Sequence, residues 1–256
     1  NRYEFGMVEL VKPLNSFDLK FNVNQIHARA DLEYRKSDRR ILKFGLHVID
    51  YQLNPGTNSP FGSESIVINK DLEDEQAREI SIYFGDEFFV NEKFSVSYGG
   101  RYMFYQLYGP LTVNQYVSGA PITESNVIGE ETLGKGENVK TYHGPEFRVS
   151  GRYNLSNQSS IKFGFNTMRQ NIHLLSNTSS IAPTDSWKLS DSYIKPQSGG
   201  QASLGYYRNL ASNRIEFSTE VYYRYMNNQF DYRSGASIIL NENIEQDILN
   251  SIGKAY

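Results

Sequence analysis

The chain has 256 residues, no cysteine, one tryptophan, 19 tyrosines and 15 phenylalanines, with a net charge of -3. Zero cysteines exclude a disulfide scaffold and thiolate metal sites, and no run approaches the roughly 18 consecutive apolar residues of a membrane helix. An aromatic content of 14% excludes a solvated, disordered chain, and the interspersed charges leave no footprint for nucleic acid. No leader-type apolar segment opens the sequence, so either an export signal has been removed or these residues lie inside a longer chain.

Period two dominates the rest. A partial strand leads up to Val11. Ile26, Ala28, Ala30, Leu32 and Tyr34 then alternate with His27, Arg29, Asp31, Glu33 and Arg35, and after a turn at Lys36 to Arg39 the residues Leu42, Phe44, Leu46 and Val48 repeat the pattern. Ile80, Ile82 and Phe84 turn near Asn91-Glu92-Lys93 into Phe94, Val96, Tyr98, Gly100, Tyr102 and Phe104. Phe147, Val149, Gly151, Tyr153 and Leu155 turn at Ser156 to Ser159 into Ile161, Phe163, Phe165 and Thr167. Ala202, Leu204 and Tyr206 turn at Asn209 to Asn213 into Ile215, Phe217, Thr219, Val221, Tyr223 and Tyr225. A last partial strand begins at Ala255.

Short turns alternate strictly with long connections, which the pattern places at residues 53–76, 107–143, 175–198 and 227–251. Soluble domains rarely carry loops beyond about 12–15 residues, whereas outer-membrane barrels combine short turns on one rim with long loops on the other. The expected fold is therefore all-β: part of an antiparallel up-and-down transmembrane barrel, with about eight full strands and a partial strand at each end. A soluble secreted β-sandwich is the weaker alternative. On the apolar face Tyr34, Phe94, Tyr153 and Tyr206 lie near the short turns and Tyr102, Phe104, Tyr223 and Tyr225 at the far ends, a spacing that suits two membrane girdles; a general preference of aromatics for strands is the bland explanation. The charged face becomes a water-filled lumen, and pairing Phe84 with Val96 sets Glu79 opposite Arg101.

Little points to catalysis. There is no phosphate loop or nucleophile elbow, and Gly99-Gly100 sits inside a strand. His27 and His47 face inward close to one another, but a metal site needs a third ligand. The run Asp71 to Glu75 and the pair Asp185 and Asp191 have oxygens for calcium, against the plainer reading of a solvated loop. No cofactor is called for. Tyr116, Tyr142, Trp187, Tyr193 and Tyr232, in the long connections, are candidate ligand contacts, with packing of the loops on one another as the alternative.

The run from Ile161 to Thr178, with Pro183 to Trp187 and Ile194 to Gln197, resembles TonB-dependent outer-membrane receptors of the Bacteroidetes type. Leu42 to Gly45, Tyr83 to Glu87, Tyr98 to Tyr102 and Glu220 to Arg224 are similar to the same family, and Ile252 to Tyr256 looks like a strand start. The resemblance implies that residues 1–256 are part of one barrel of about 22 strands, with the plug, the TonB box and the C-terminal strands lying outside them. It implies active uptake of a scarce nutrient, a siderophore, vitamin, glycan or peptide, across the bacterial outer membrane. Its partners would be lipid, the TonB coupler through the missing N-terminal region, and a surface lipoprotein. A structural or adhesin barrel without active transport is the alternative.

Overall fold

The structure is a computed structural model, and it describes residues 2–9, 13–176, 185–211 and 214–255. Fifteen strands follow one another: β1 (Arg2–Glu9), β2 (Phe17–Ser37), β3 (Arg40–Pro60), β4 (Lys70–Asp71), β5 (Glu75–Phe89), β6 (Phe94–Tyr108), β7 (Leu111–Tyr116), β8 (Val127–Leu133), β9 (Asn138–Ser156), β10 (Ser159–Gln170), β11 (Ile172–Leu175), β12 (Ser186–Leu189), β13 (Gln197–Leu210), β14 (Ile215–Tyr232) and β15 (Ile248–Ala255), with one short helix, α1 (Ile244–Asp247). An 11-stranded antiparallel sheet runs β1-β2-β3-β5-β6-β9-β10-β13-β14-β15, with β4 added to β3. This is the partial up-and-down barrel wall that the alternation predicts, eight long strands flanked by a shorter one on each side. The partial N-terminal strand is β1, while Val11 lies outside the described residues. The last strand begins at Ile248 rather than Ala255.

Three of the four long connections are shorter than the alternation suggests, because the strands continue well beyond the segments where it is visible; the remaining one, residues 171–196 between β10 and β13, is not. Strand β3 reaches Pro60, β9 starts at Asn138 and β14 ends at Tyr232. Two connections carry hairpins of their own, β7–β8 and β11–β12.

The reason is a change of phase. In β2 the inner positions Leu19, Phe21 and Val23 are buried, yet from Ile26 to Tyr34 the apolar residues stand on the outer face. Strand β3 runs the same course in reverse, from outer Leu42, Phe44, Leu46 and Val48 to buried inner Ile49, Tyr51 and Leu53. Strand β6 switches from outer Tyr102 and Phe104 to inner Met103, Tyr105 and Leu107. Toward the short turns the outer face is thus bare and apolar, with Leu32 64%, Ile82 60% and Val221 74% exposed. Toward the long connections it becomes polar: Asn24 donates to Gln52 at 3.3 Å, Arg78 pairs with Asp50 at 2.6 Å and Gln106 donates to Asn138 at 2.8 Å. A strand that keeps apolar atoms on one side must exchange sides where the surrounding medium does.

The inner wall is consequently not a uniform polar lumen. Near the short turns it carries Arg29 with Asp31, Lys43 with Glu87, and His27 Nδ1 at 3.4 Å from His47 Nε2. Near the long connections it is an apolar floor. Arg101 does pair with Glu79, at 2.7 Å, but by a different register from the expected one: Phe84 faces Gly100, not Val96, and Arg101 faces Tyr83. Asn91 explains the shift, since its side-chain oxygen accepts from the backbone N–H of Lys93 and Phe94 at 2.9 Å each and closes the hairpin at Phe89 and Ser95. Nor is the pair in open water, because Glu79 is buried.

Gly99 faces Gly85 across β5 and β6, and a Cβ on Gly99 would lie 2.5 Å from the Phe84 carbonyl oxygen, whereas one on Gly85 would find its nearest atom at 3.7 Å. Gly99→Ala is expected to destabilise the wall by about 1–3 kcal/mol through overpacking against backbone. Gly85→Ala stays within about 0.5 kcal/mol; denaturant unfolding of the full-length protein, followed by circular dichroism, compares the two.

Candidate functional site

The apolar floor exists because something covers it. Strands β11 and β12 pair through Ile172–Leu189, His173–Lys188, Leu174–Trp187 and Leu175–Ser186, and this hairpin folds back onto the inner wall. Leu189, fully buried, joins Val23, Ile49, Tyr51, Leu53, Ala77, Met103, Tyr105 and Leu107 in one cluster, with Trp187, Ile172 and Tyr142 packed against it. A second cluster joins Leu175 and Ile194 to Ile238, Ile244 and Ile248, beneath Phe230 and Tyr232.

Polar anchors fix the hairpin's position on this floor. The Tyr105 hydroxyl donates to the Ser190 carbonyl at 2.8 Å, Tyr142 to the Asp191 carbonyl at 2.7 Å, and Asn171 Nδ2 to Glu79 Oε2 at 2.9 Å. At the centre the Lys188 ammonium pairs with Glu75 and, at 2.9 Å, with Asp191, while the Leu189 N–H donates to Glu75 at 2.8 Å. Burial alone would lower the pKa of Lys188, but Asp191 and Glu75 together hold it above the ordinary lysine value.

Between this hairpin and the other long connections lies a cavity of about 330 Å³. Trp187 and Tyr193 line it, so two of the five candidate aromatics reach it. Tyr116 stands behind Tyr193, the rings edge to face with centroids 5.2 Å apart, and donates to Glu245 at 2.7 Å. Tyr142 and Tyr232 are strand residues used for packing; the Tyr232 hydroxyl accepts from the Ser176 N–H at 3.0 Å. The cavity wall bears Asp71, Glu73, Glu75, Glu130, Asp191, Glu242 and Glu245 against Lys188 as its cation. In the run Asp71 to Glu75 the first acids are exposed, as a solvated loop requires, although Glu73 accepts from Thr112 at 2.7 Å and Asp74 from Asn54 at 2.9 Å; Glu75 alone of its acids is buried. Among the described residues no group of three or more His, Asp or Glu side chains is arranged to hold a metal.

The outer-face aromatics stand in two groups along the strands. Phe94 meets Tyr153 at 6.5 Å between centroids and Tyr206 meets Phe217 at the same separation, near the short turns. Tyr102 and Phe104 both stack on His143, at 5.9 and 6.3 Å, at the other border of the apolar band. Tyr34 and Tyr223 are exposed and Tyr225 is half-buried.

No family model matches the sequence, and no curated protein matches it. Solved structures do share its fold. The copper transporter OprC superposes with a TM-score of 0.61 at 12% identity, over 91% of this chain and 36% of that one. The alcaligin outer-membrane receptor FauA from Bordetella pertussis superposes with a TM-score of 0.50 at 11% identity, over 88% of this chain and 32% of that one. The shared fold is that of an antiparallel β-barrel wall. This chain spans about a third of the length of those structures.

Within this wall the sequence patterns pass over two residues that position the hairpin. Lys188 shows no sequence signal beyond its place next to Trp187, and its partners Glu75 and Asp191 lie in acidic segments that read as loop. His173, buried, shares a 2.8 Å hydrogen bond with the Ser190 hydroxyl and meets Phe230 edge to face at 4.6 Å. Burial pushes its pKa down to about 4, Asp191 opposing and Lys188 reinforcing.

Two outcomes follow from these anchors. Lys188→Met leaves Glu75 and Asp191 facing each other unpaired and is expected to cost about 3–5 kcal/mol, read as accelerated proteolysis within the 171–196 connection. His173 is held below its ordinary value of 6.5, so the stability it confers is complete above that pH and is lost as pH falls from about 6.5 toward about 4. The hydrogen-exchange protection of residues 172–175 in the full-length protein, taken relative to the intrinsic exchange rate at each pH, should fall as pH drops over that window, and His173→Gln should remove the dependence; a slope that survives the substitution contradicts the assignment.

Proposed function

We propose that this chain forms part of the wall of an outer-membrane receptor that takes up a scarce nutrient by active transport, energised through TonB. The observation that carries the reading is the change of phase. An apolar outer band bordered by aromatics, with a polar outer face and a loop-filled interior beyond it, is what a strand needs where it leaves hydrocarbon for water. Arg78 and Asp86 border the band on β5, eight positions apart, about 26 Å of strand at roughly 3.3 Å per residue. Counted with both ends, that stretch falls within the roughly 9–11 residues with which a tilted strand crosses a bilayer.

The likeness of fold to a siderophore receptor and a copper transporter supports uptake over catalysis. In this reading the plug, the TonB box and the remaining strands belong to sequence outside these residues, and the resemblance carried by the block from Ser160 to Gln197 supports a receptor of the Bacteroidetes type. The cargo is a siderophore, vitamin, glycan or peptide, delivered with a surface lipoprotein where one is used. Trp187 and Tyr193 offer it a stacking surface. The carboxylate-rich cavity wall favours a cargo rich in hydrogen-bond donors over a polyanion.

Deletion of the full-length gene, screened across iron-chelate, vitamin, glycan and peptide sources, is expected to abolish uptake of one of them, and so is removal of the TonB coupler. Unchanged uptake with defective surface attachment would replace this reading with a structural or adhesin barrel. The membrane part has its own check. Ile82→Arg, in the apolar band, should cost about 2–4 kcal/mol, whereas Gln52→Arg, on the outer face beyond it, should cost about 0–1; folding into lipid vesicles across a denaturant series measures both.

A further inference from the structure

Cations on the inner face fall into two groups. Arg29, Arg35, Lys43 and Arg101 each hold a carboxylate on the same face, namely Asp31, Glu33, Glu87 and Glu79. Farther along the sheet, Arg148, Arg152 and Lys162 form no ion pair among the described residues. Arg152 and Lys162 stand directly opposite one another on β9 and β10. A like-charge pair in that position works against the hairpin unless a counter-charge is present.

The local structure holds the Lys162 ammonium in place, with the exposed Arg152 side chain beside it. Gly205 faces Lys162 from β13, and the Tyr207 ring lies over it, so close that a Cβ on Gly205 would come within 2.8 Å of the ring. The Lys162 ammonium rests on that ring, 4.1 Å from its centroid, a contact that fixes the group while offsetting only part of its charge. Beside the pair a cavity of about 300 Å³ opens at the short-turn rim, where Lys93, Asn154, Gln158 and Asn209 add donors and Glu92 is the lone carboxylate in the lining.

We propose that this cavity binds an oxyanion, a carboxylate or phosphate group held between the Arg152 guanidinium and the Lys162 ammonium. The guanidinium fork matches two anionic oxygens, the ammonium supplies a third contact, and the side-chain amides complete the shell. This site lies at the opposite rim from the carboxylate-lined cavity and has the opposite charge preference, so it is separate from the cargo-facing surface. The same chemistry is offered by an acidic side chain of the protein itself and by free phosphate.

Amine acylation of Lys162 in the full-length protein, quantified by mass spectrometry against exposed Lys135, separates these sources. Inorganic phosphate is the probe, with chloride at matched ionic strength as control. Phosphate is expected to slow acylation of Lys162 by at least about tenfold, and Arg152→Gln, whose folding is checked by heat-modifiable gel mobility, to remove that protection. Protection already present without phosphate, and lost both in Arg152→Gln and in molar sodium chloride, supports the site with an oxyanion supplied by the protein, since salt at that strength screens beyond about 3 Å. Two results overturn the proposal: Lys162 reacting as fast as Lys135 whatever the anion, or protection that neither phosphate nor Arg152→Gln alters, which the Tyr207 ring alone would give.

Discussion

Lys188 sits inside the wall as a charge, and the arrangement of the long-connection rim follows from how that charge is satisfied. A buried ammonium is tolerated only with anionic partners at hydrogen-bond distance, and Glu75 and Asp191 provide them from β5 and from the segment after β12. The pair need not be the source of the hairpin's stability. Burying Leu189 and most of Trp187 contributes about 1.5–3 kcal/mol for each large side chain, while a buried ion pair often does little better than a hydrophobic replacement. What the pair adds is position. Apolar contacts on a floor of Val23, Leu53, Met103 and Leu107 tolerate sliding, whereas one lysine between two carboxylates does not.

That floor was the part of the fold hardest to see in the sequence. Outer positions from Ile26 to Tyr34 or from Phe94 to Phe104 alternate cleanly, and the strand count, the faces and the partial-barrel architecture were legible from them. Beyond the change of phase, Leu19, Phe21 and Val23 alternate just as well with Lys20, Asn22 and Asn24, but in the opposite sense. A reading that keeps one phase starts the strand at Ile26 and leaves them out of it. The Phe84–Gly100 register was hidden for a different reason, since it is set by one side-chain cap at Asn91 rather than by hydrophobic pattern, which is satisfied by any even shift.

The candidate site was legible in kind and not in detail. Long connections rich in Tyr and Trp marked where a ligand would be met, and Trp187 and Tyr193 do line a cavity there. Tyr142 and Tyr232 have the same residue type as Tyr193, but their hydroxyls are spent on the Asp191 carbonyl and the Ser176 N–H and they line no part of the cavity. Composition cannot separate these two uses of tyrosine. Among the acidic residues Glu75 is the one a row of carboxylates conceals: Glu73 and Asp74 are exposed as they look, whereas Glu75 is buried against the distant Leu189 N–H.

The two borders of the outer apolar band complete the picture. At the long-connection side Arg78 and Asp50 pair on the outer face at 2.6 Å. At the short-turn side Asp86, fully buried by its neighbours, receives both Arg40 Nε and Nη2, at 3.0 and 2.5 Å to the same oxygen, and the Tyr98 hydroxyl at 2.6 Å, while Arg40 lies over Phe88. Each border is thus a charge pair whose hydrogen bonds are made before any solvent is counted. In a bilayer, moving the wall along its own axis in either direction carries one of these pairs toward hydrocarbon, where an ion is costly even when paired. Ile80, Ile82 and Phe84 between them supply the attraction to lipid, and the charges at the two ends set the depth at which it acts.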